Sequence, residues 1–505
     1  MASTNEKPLR ILIAASEGVP FSKTGGLADV IGALPEALAA GGLRVAVVLP
    51  RYRATKLDKA KTLVPSMTVP LGNTLHFPGI WEAPAKGPVR WLFVDYPPFF
   101  DRETLYVGPD GSDWPDNPER FGLFSRCVLE IAKSIFPPDI IHCHDWQAGL
   151  VPVLLRTAYA ADPSLKDIPA VFTVHNLGYQ GLFPPDALSR MGLGRELFTM
   201  DRLEFYGKVN CLKGALVCSD FITTVSQKYS QEIQTPEYGF GLEGVLRERA
   251  KRVRGIINGV DYTEWDPAVD RFAAAHYSAA SLEGKKKCKK DLLQQFGLPD
   301  GDLDSPLIGI VSRFTRQKGA DLIAEVADQM LAEKLRLVAL GTGEPEYEQL
   351  FRDLATRYKG KVAVRIGYDN PLAHKIEAGS DMFLMPSRYE PCGLNQIYSL
   401  RYGTVPVVRA TGGLDDTIED YDPAGGKGTG FKFTDYSGPA MLQTVQRALS
   451  VYSDPAQWKK VMQNAMKKDF SWGSSALEYA RLFDELAGKQ APARPKRAAK
   501  KNSIA

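Results

Sequence analysis

Short apolar runs rich in β-branched residues alternate with helix-length stretches along almost the whole chain, and no other feature restricts the possible folds as strongly. In the first half the runs are Ile11 to Ala15, Val45 to Leu49, Trp91 to Val94, Ile140 to Cys143, Ala170 to Val174 and Phe221 to Val225. In the second half they are Leu307 to Val311, Leu335 to Leu340, Val362 to Ile366, Met382 to Met385 and Val405 to Val408. A strand that is apolar at every position has both faces covered, as parallel strands between helix layers do. Between the two series, Gly255-Ile256-Ile257-Asn258-Gly259-Val260-Asp261 and the later Asp266-Pro267 read as a turn and linker. The pattern predicts an α/β chain of two Rossmann-like, doubly wound domains, 8–255 and 268–475, joined by a linker at 256–267. Such sheets bind ligands beyond the carboxyl ends of their strands, so two of them facing each other create an inter-domain cleft.

With 505 residues, 44% hydrophobic and 24% charged, the chain can bury two such cores and is neither disordered nor collagen-like. Its formal charge is +3, but Lys489, Arg494, Lys496, Arg497, Lys500 and Lys501 lie in the last seventeen residues without one acid. Without these six the body carries −3, so it offers no broad basic face and no nucleic-acid partner is expected. The segment 488–505 reads as a basic, disordered tail. The six cysteines include no Cys-x-x-Cys pair, which argues against a disulfide or zinc framework and for a reducing cytoplasm. Met1 to Arg10 is polar and the apolar run after it is short, so neither a signal peptide nor a membrane span is expected. The run Lys285, Lys286, Lys287, Lys289 and Lys290 reads as a solvated helix face.

The chemistry lies at the strand ends. After the first run, Ser22-Lys23-Thr24-Gly25-Gly26 opens a helix; such a turn lets backbone N–H groups approach a diphosphate while Lys23 adds a movable charge. The alternative there is a plain tight turn, since neither a Walker loop nor Gly-x-Gly-x-x-Gly is present. In the second half, Arg313 and Lys318 follow a strand directly and either stabilise the charge that grows on a leaving diphosphate or are plain surface charge. Their companion is Ser387-Arg388-Tyr389-Glu390-Pro391-Cys392-Gly393-Leu394, in which Glu390 is placed to hold a sugar hydroxyl and the N–H groups of 392–394 to hold oxygens. Cys392 reads as a packing residue rather than a nucleophile, having no histidine near it in sequence. Thr411-Gly412-Gly413 offers another phosphate cradle, and Tyr368 is either a ring for a nucleobase or a core tyrosine. His142 and His144 are expected on opposite faces of their strand, so that they share no metal ion and His142 is a core residue. His144, Asp145 and His175 are expected to line the cleft and bond sugar hydroxyls.

These motifs resemble the bacterial glycogen synthase and plant starch synthase family. The resemblance runs through Ser16 to Val30, His144 to Trp146, Val174 to Asn176, Leu203 to Asn210, Gln234 to Gly244, Gly255 to Asp261, Arg313 to Gly319, Gly367 to Asp369, Glu390 to Leu394 and Arg401 to Leu414. It implies a GT-B fold, with an acceptor-side first domain, a nucleotide-sugar-binding second domain, and a last helix at 476–487 crossing back onto the first. It implies transfer of glucose from ADP-glucose to the non-reducing end of an α-1,4-glucan such as glycogen, with retention and without metal or other cofactor. His175, Arg313, Lys318 and Glu390 would be catalytic. Lys23, Gly25, Gly26, Asn258, Tyr368, Cys392, Gly393, Leu394, Thr411, Gly412 and Gly413 would bind the donor, and Glu17, Asp29, His144, Asp145 and Asn176 the acceptor and sugar. A UDP-glucose-preferring transferase and a catalytically silent glucan-binding protein are the alternatives. The chain departs from the family pattern at Asn395, where threonine is usual, at Gly18, and over Phe198 to Arg202.

Overall fold

The computed structural model describes residues 7–84 and 87–488, so all of the basic tail but Gly488 lies outside the described residues. Every apolar run named above is a strand, within a residue or two at the ends. The first sheet has nine strands in the order Val253–Gly255, Phe221–Thr224, Ala170–Val174, Ile140–His144, Arg10–Ala14, Arg44–Pro50, Arg90–Asp95, Gly79–Glu82 and Lys61–Val64. Its first seven strands are parallel, and the last two form an antiparallel edge. Side chains of Arg10–Ala14 alternate between two cores, Leu12 and Ala14 entering one while Ile11 and Ile13 enter the other. The second sheet is all parallel, in the order Val362–Ile366, Arg336–Gly341, Leu307–Val311, Met382–Met385, Val405–Arg409 and Phe431–Phe433.

Strand order places the site. In the first sheet the chain runs outward from Arg10–Ala14 to one side, then returns to lay Ile140–His144 on the other. The second sheet repeats this with Leu307–Val311 and Met382–Met385. Loops leaving two such neighbouring strands diverge to opposite faces and open a crevice between them. The four loops concerned carry Glu17 to Gly26, Asp145, Arg313 to Lys318 and Ser387 to Leu394.

Two chain crossings join the domains. Val260 N–H donates to Phe470 O at 2.8 Å and Ser475 Oγ to Ile257 O at 2.6 Å, so linker and return segment run side by side. Gly259 is obligatory there, because a Cβ would stand 2.4 Å from Trp472 Cα. The last helix, Trp472–Leu486, then buries Trp472, Ala476, Tyr479, Leu482 and Phe483 in the core of the first domain. Trp265 of the linker is sandwiched between His374 and Tyr398, with ring centroids 3.7 and 3.9 Å away.

The lysine run is not a uniformly solvated face. Helix Glu283–Gln295 exposes Lys286, Lys287 and Lys290 but buries Lys285 and Lys289, which are four residues apart and therefore on one side. Lys289 Nζ meets Asp381 at 2.6 Å and the carbonyls of Leu303 and Ser305. Lys285 Nζ donates to Thr404 Oγ1 at 2.7 Å and to the carbonyls of Ala378 and Tyr402, and burial pushes its amine down to about 8. These ammonium groups brace the helix against strand ends.

Candidate active site

Between the domains lies a cleft of about 1010 Å³, large enough for a nucleotide sugar. Its first-domain wall is built by Glu17, Lys23, Gly25, Gly26, Asp29, Asp145, His175 and Asn176, and its second-domain wall by Arg313, Lys318, Tyr368, Glu390, Cys392, Gly393 and Leu394, with Asn258 of the linker at the base. Two helix N-termini open into it. Helix Gly26–Ala40 begins after Gly25, and helix Asn395–Tyr402 after Leu394, and neither has a side-chain cap. Their first-turn N–H groups are thus available to anionic oxygens.

Each charged side chain is held. Lys23 Nζ sits 2.6 Å from Asp29, with both groups substantially exposed. Glu17 accepts from Thr24 N at 2.5 Å and Thr24 Oγ1 at 2.8 Å, and burial raises its pKa against those bonds. Across the cleft Lys318 Nζ pairs with Glu390 Oε2 at 2.6 Å, and Ser387 Oγ donates to the same oxygen at 3.0 Å. The Glu390 carboxylate thereby turns an oxygen to an ammonium that is itself partly open to the cleft. Arg313 is exposed, with Gln317 Oε1 at 3.5 Å from its guanidinium. Tyr368 stands 84% exposed at the cleft wall, and the preceding Gly367 has φ +135°, a value only glycine adopts freely.

Asp145 takes φ +55° and ψ 177°, a conformation otherwise nearly confined to glycine. Its Oδ1 accepts from His175 N at 2.8 Å, and its own N–H donates to Thr173 O at 3.0 Å. Burial, with a smaller push from Glu17, raises its carboxyl to about 7. Burial lowers the His175 imidazole to about 3, so at neutral pH this ring is uncharged and offers hydrogen bonds but no positive charge.

Three expectations need correction. Alternate positions on a strand share a face, and the rings of His142 and His144 lie 4.1 Å apart on the same side. His142 is nevertheless a core residue, fully buried against Thr173 Oγ1 at 2.6 Å. His144 does not line the cleft; it is fully buried behind His175, its Nδ1 2.9 Å from His175 Nε2. Thr411, Gly412 and Gly413 do not face the cleft either. Thr411 Oγ1 and Gly412 N donate to the Glu232 carboxylate of the first domain at 3.1 Å, and Gly413 N to the carbonyls of Glu390 and Pro391. Cβ atoms at 412 and 413 would stand 1.9 Å from Glu390 O and Cys392 O, so this glycine pair serves the close approach that fixes the Glu390 loop. A Cβ at Gly25 would meet only Glu17 Oε1, at 3.9 Å, and one at Gly26 nothing within 4 Å, which is the room a phosphate needs.

Sequence reasoning missed Glu232, 180 residues from its partner, and Ser387 as a donor to Glu390. Asn395 donates to Val311 O at 2.7 Å, so its amide ties the helix start to the strand end. The Cys392 thiol is buried and pushed up to about 12, unfit as a nucleophile. Among the described residues no group of three or more His, Cys, Asp or Glu is arranged to hold a metal, and no helix is long and apolar enough to cross a membrane.

Two facing doubly wound domains, with open helix N-termini at both switch points and the cations Arg313 and Lys318 at the second, have the two-domain GT-B architecture. Residues 10–248 match the starch synthase catalytic domain family, and residues 297–465 match glycosyl transferases group 1. The chain is 58% identical to a glycogen synthase of Koribacter versatilis (strain Ellin345), over 96% of this chain and 99% of that one. It is 47% identical to glycogen synthase 1 of Geobacter metallireducens, over 96% and 97%. The catalytic domain of Starch Synthase IV from Arabidopsis thaliana, bound to ADP and acarbose, superposes with a TM-score of 0.86 at 34% identity, covering 95% of this chain and all of that one. The chain belongs to the glycogen synthase and starch synthase family and is a glycosyltransferase.

Proposed function

We propose that this protein transfers glucose from ADP-glucose to the non-reducing end of an α-1,4-glucan such as glycogen, with retention at the anomeric carbon, as a cytoplasmic step of glycogen synthesis. The observation that carries this reading is the Lys318–Glu390 pair beside the uncapped N-terminus of helix Asn395–Tyr402, facing the open Gly25-Gly26 turn. As the bond from the anomeric carbon to the phosphate oxygen breaks, negative charge grows on ADP. Arg313, Lys318, Lys23 and both helix N-termini meet that charge, and the reading assigns no step to a metal or other cofactor. Glu390 holds donor glucose hydroxyls. Neutral His175 bonds the sugar, while Asp145 and Glu17 supply negative potential on the side where the anomeric carbon becomes positive. With no side-chain nucleophile assigned, the acceptor hydroxyl attacks from the face that ADP leaves, and its proton passes to the departing phosphate oxygen.

Tyr368 can stack on adenine or uracil, which keeps UDP-glucose as the second donor; the relative with bound ADP favours adenine. Incubating the protein with ADP-glucose and maltotriose is expected to release one ADP per glucose added and to give products whose new linkages are all α-1,4 by proton NMR. Inverted linkages, or free glucose as the sole sugar product, would contradict the proposal.

A further inference from the structure

Two segments of the family resemblance, Leu203 to Asn210 and Gln234 to Gly244, have no part in the chemistry above, yet both carry exposed aromatic rings on strained backbone. Four described non-glycine residues have positive φ: Lys59, Asp145, Tyr206 and Phe240. Tyr206 (+48°) precedes Gly207 (+76°) and Phe240 (+49°) precedes Gly241 (+83°). Tyr206-Gly207 is the two-residue turn of the hairpin Glu204–Phe205 and Lys208–Asn210. Turns with both central φ values positive favour asparagine, aspartate or glycine in the first place, so neither local geometry nor burial accounts for a tyrosine that is 84% exposed.

The two aromatic turns adjoin. A Cβ at Gly241 would stand 2.8 Å from the Phe205 ring, which packs 4.7 Å from the ring of Tyr206. Gln180 ties them to the cleft, donating to Phe240 O at 3.2 Å and accepting from Asn210 at 2.7 Å. The Phe240 ring lies 5.8 Å from Tyr389, the residue before Glu390. Tyr179, 58% exposed, lines the cleft itself. Exposed rings therefore run from the outer hairpin through Phe240 to the cleft mouth. Large apolar side chains held out in water on adjoining loops mark a binding surface, and the apolar C–H faces of pyranose rings stack on aromatic faces.

We propose that Tyr206, Phe240 and Tyr179 form a track on which an α-1,4-glucan chain lies while its non-reducing end occupies the cleft. The choice of a glucan rather than a protein partner rests on continuity with the cleft and on the acceptor given under Proposed function. Because asparagine suits both turns, Tyr206→Asn and Phe240→Asn delete the rings while keeping or improving the backbone. Affinity electrophoresis in glycogen gels and calorimetry with maltoheptaose are expected to show each variant binding about tenfold more weakly, with Tyr206→Trp restoring binding. Glycogen and maltoheptaose affinities within twofold of the unsubstituted protein in both asparagine variants would overturn the track. Turnover of ADP-glucose with maltose by the unsubstituted protein reports separately on the ADP-glucose reading under Proposed function. Ring-dependent glycogen binding without any turnover would sink that reading and leave the track standing.

Discussion

Lys318→Ala is expected to lower kcat/KM by about 10²–10³, with most of the loss in kcat. The ammonium is 2.6 Å from Glu390, so the substitution removes a cation from the leaving group and leaves a buried carboxylate without its partner. The first effect is felt only as charge develops on ADP, which is why kcat falls more than KM rises. The second destabilises the fold, so thermal unfolding of the variant belongs beside its kinetics. A stable, folded Lys318→Ala protein that kept more than a tenth of the activity would show that the leaving diphosphate is neutralised elsewhere.

Asp145→Asn is expected to separate stability from activity. The Asp145 carboxyl is raised to about 7 in the folded chain by burial, against about 3.9 when unfolded. Between these values the folded protein holds a proton that the unfolded chain has lost, so the stabilisation is complete below about pH 4 and is lost as pH rises through about 7. The full span is at most about 4 kcal/mol at 1.36 kcal/mol per unit. Asparagine keeps an acceptor for His175 N–H without a charge to bury, so the variant lacks this slope and is the more stable of the two at pH 8. Its activity is expected to fall by about 10²–10³, because negative potential at the anomeric carbon is gone. In the unsubstituted protein kcat/KM falls about tenfold per pH unit below pH 7, a limb the variant lacks. Equal pH-stability curves for the two proteins would refute this account of Asp145.

The fold was legible because the central strands of both sheets are buried on both faces, which makes them largely apolar runs; the parallel edge strands Val253–Gly255 and Phe431–Phe433, three residues each with a charged residue at the centre, show no such run. The antiparallel edge strands Lys61–Val64 and Gly79–Glu82 left no such mark; Lys61 and Thr62 are exposed and the strands are short. The strands Leu182–Phe183 and Glu204–Phe205, two residues each, are below any periodicity. Within the site, loops that follow strands directly were readable, since topology carries them to the cleft. What failed was orientation. His144 sits one residue from a cleft residue but points into the core, and Gly412-Gly413 looks like Gly25-Gly26 in sequence while meeting packed backbone instead of open space. Glu232 and the buried pair Lys285 and Lys289 depend on partners far along the chain, and nothing local distinguishes them from surface charge.

The central claim is that this cleft uses ADP-glucose and meets the departing diphosphate with protein charge. Glycogen elongation and nucleoside diphosphate release, followed in parallel with ADP-glucose and UDP-glucose in the presence of a metal chelator, test it most directly. Growth with ADP-glucose at an undiminished rate, and little with UDP-glucose, is the expected result. Growth with UDP-glucose alone, or growth with either donor that the chelator abolishes, would contradict it.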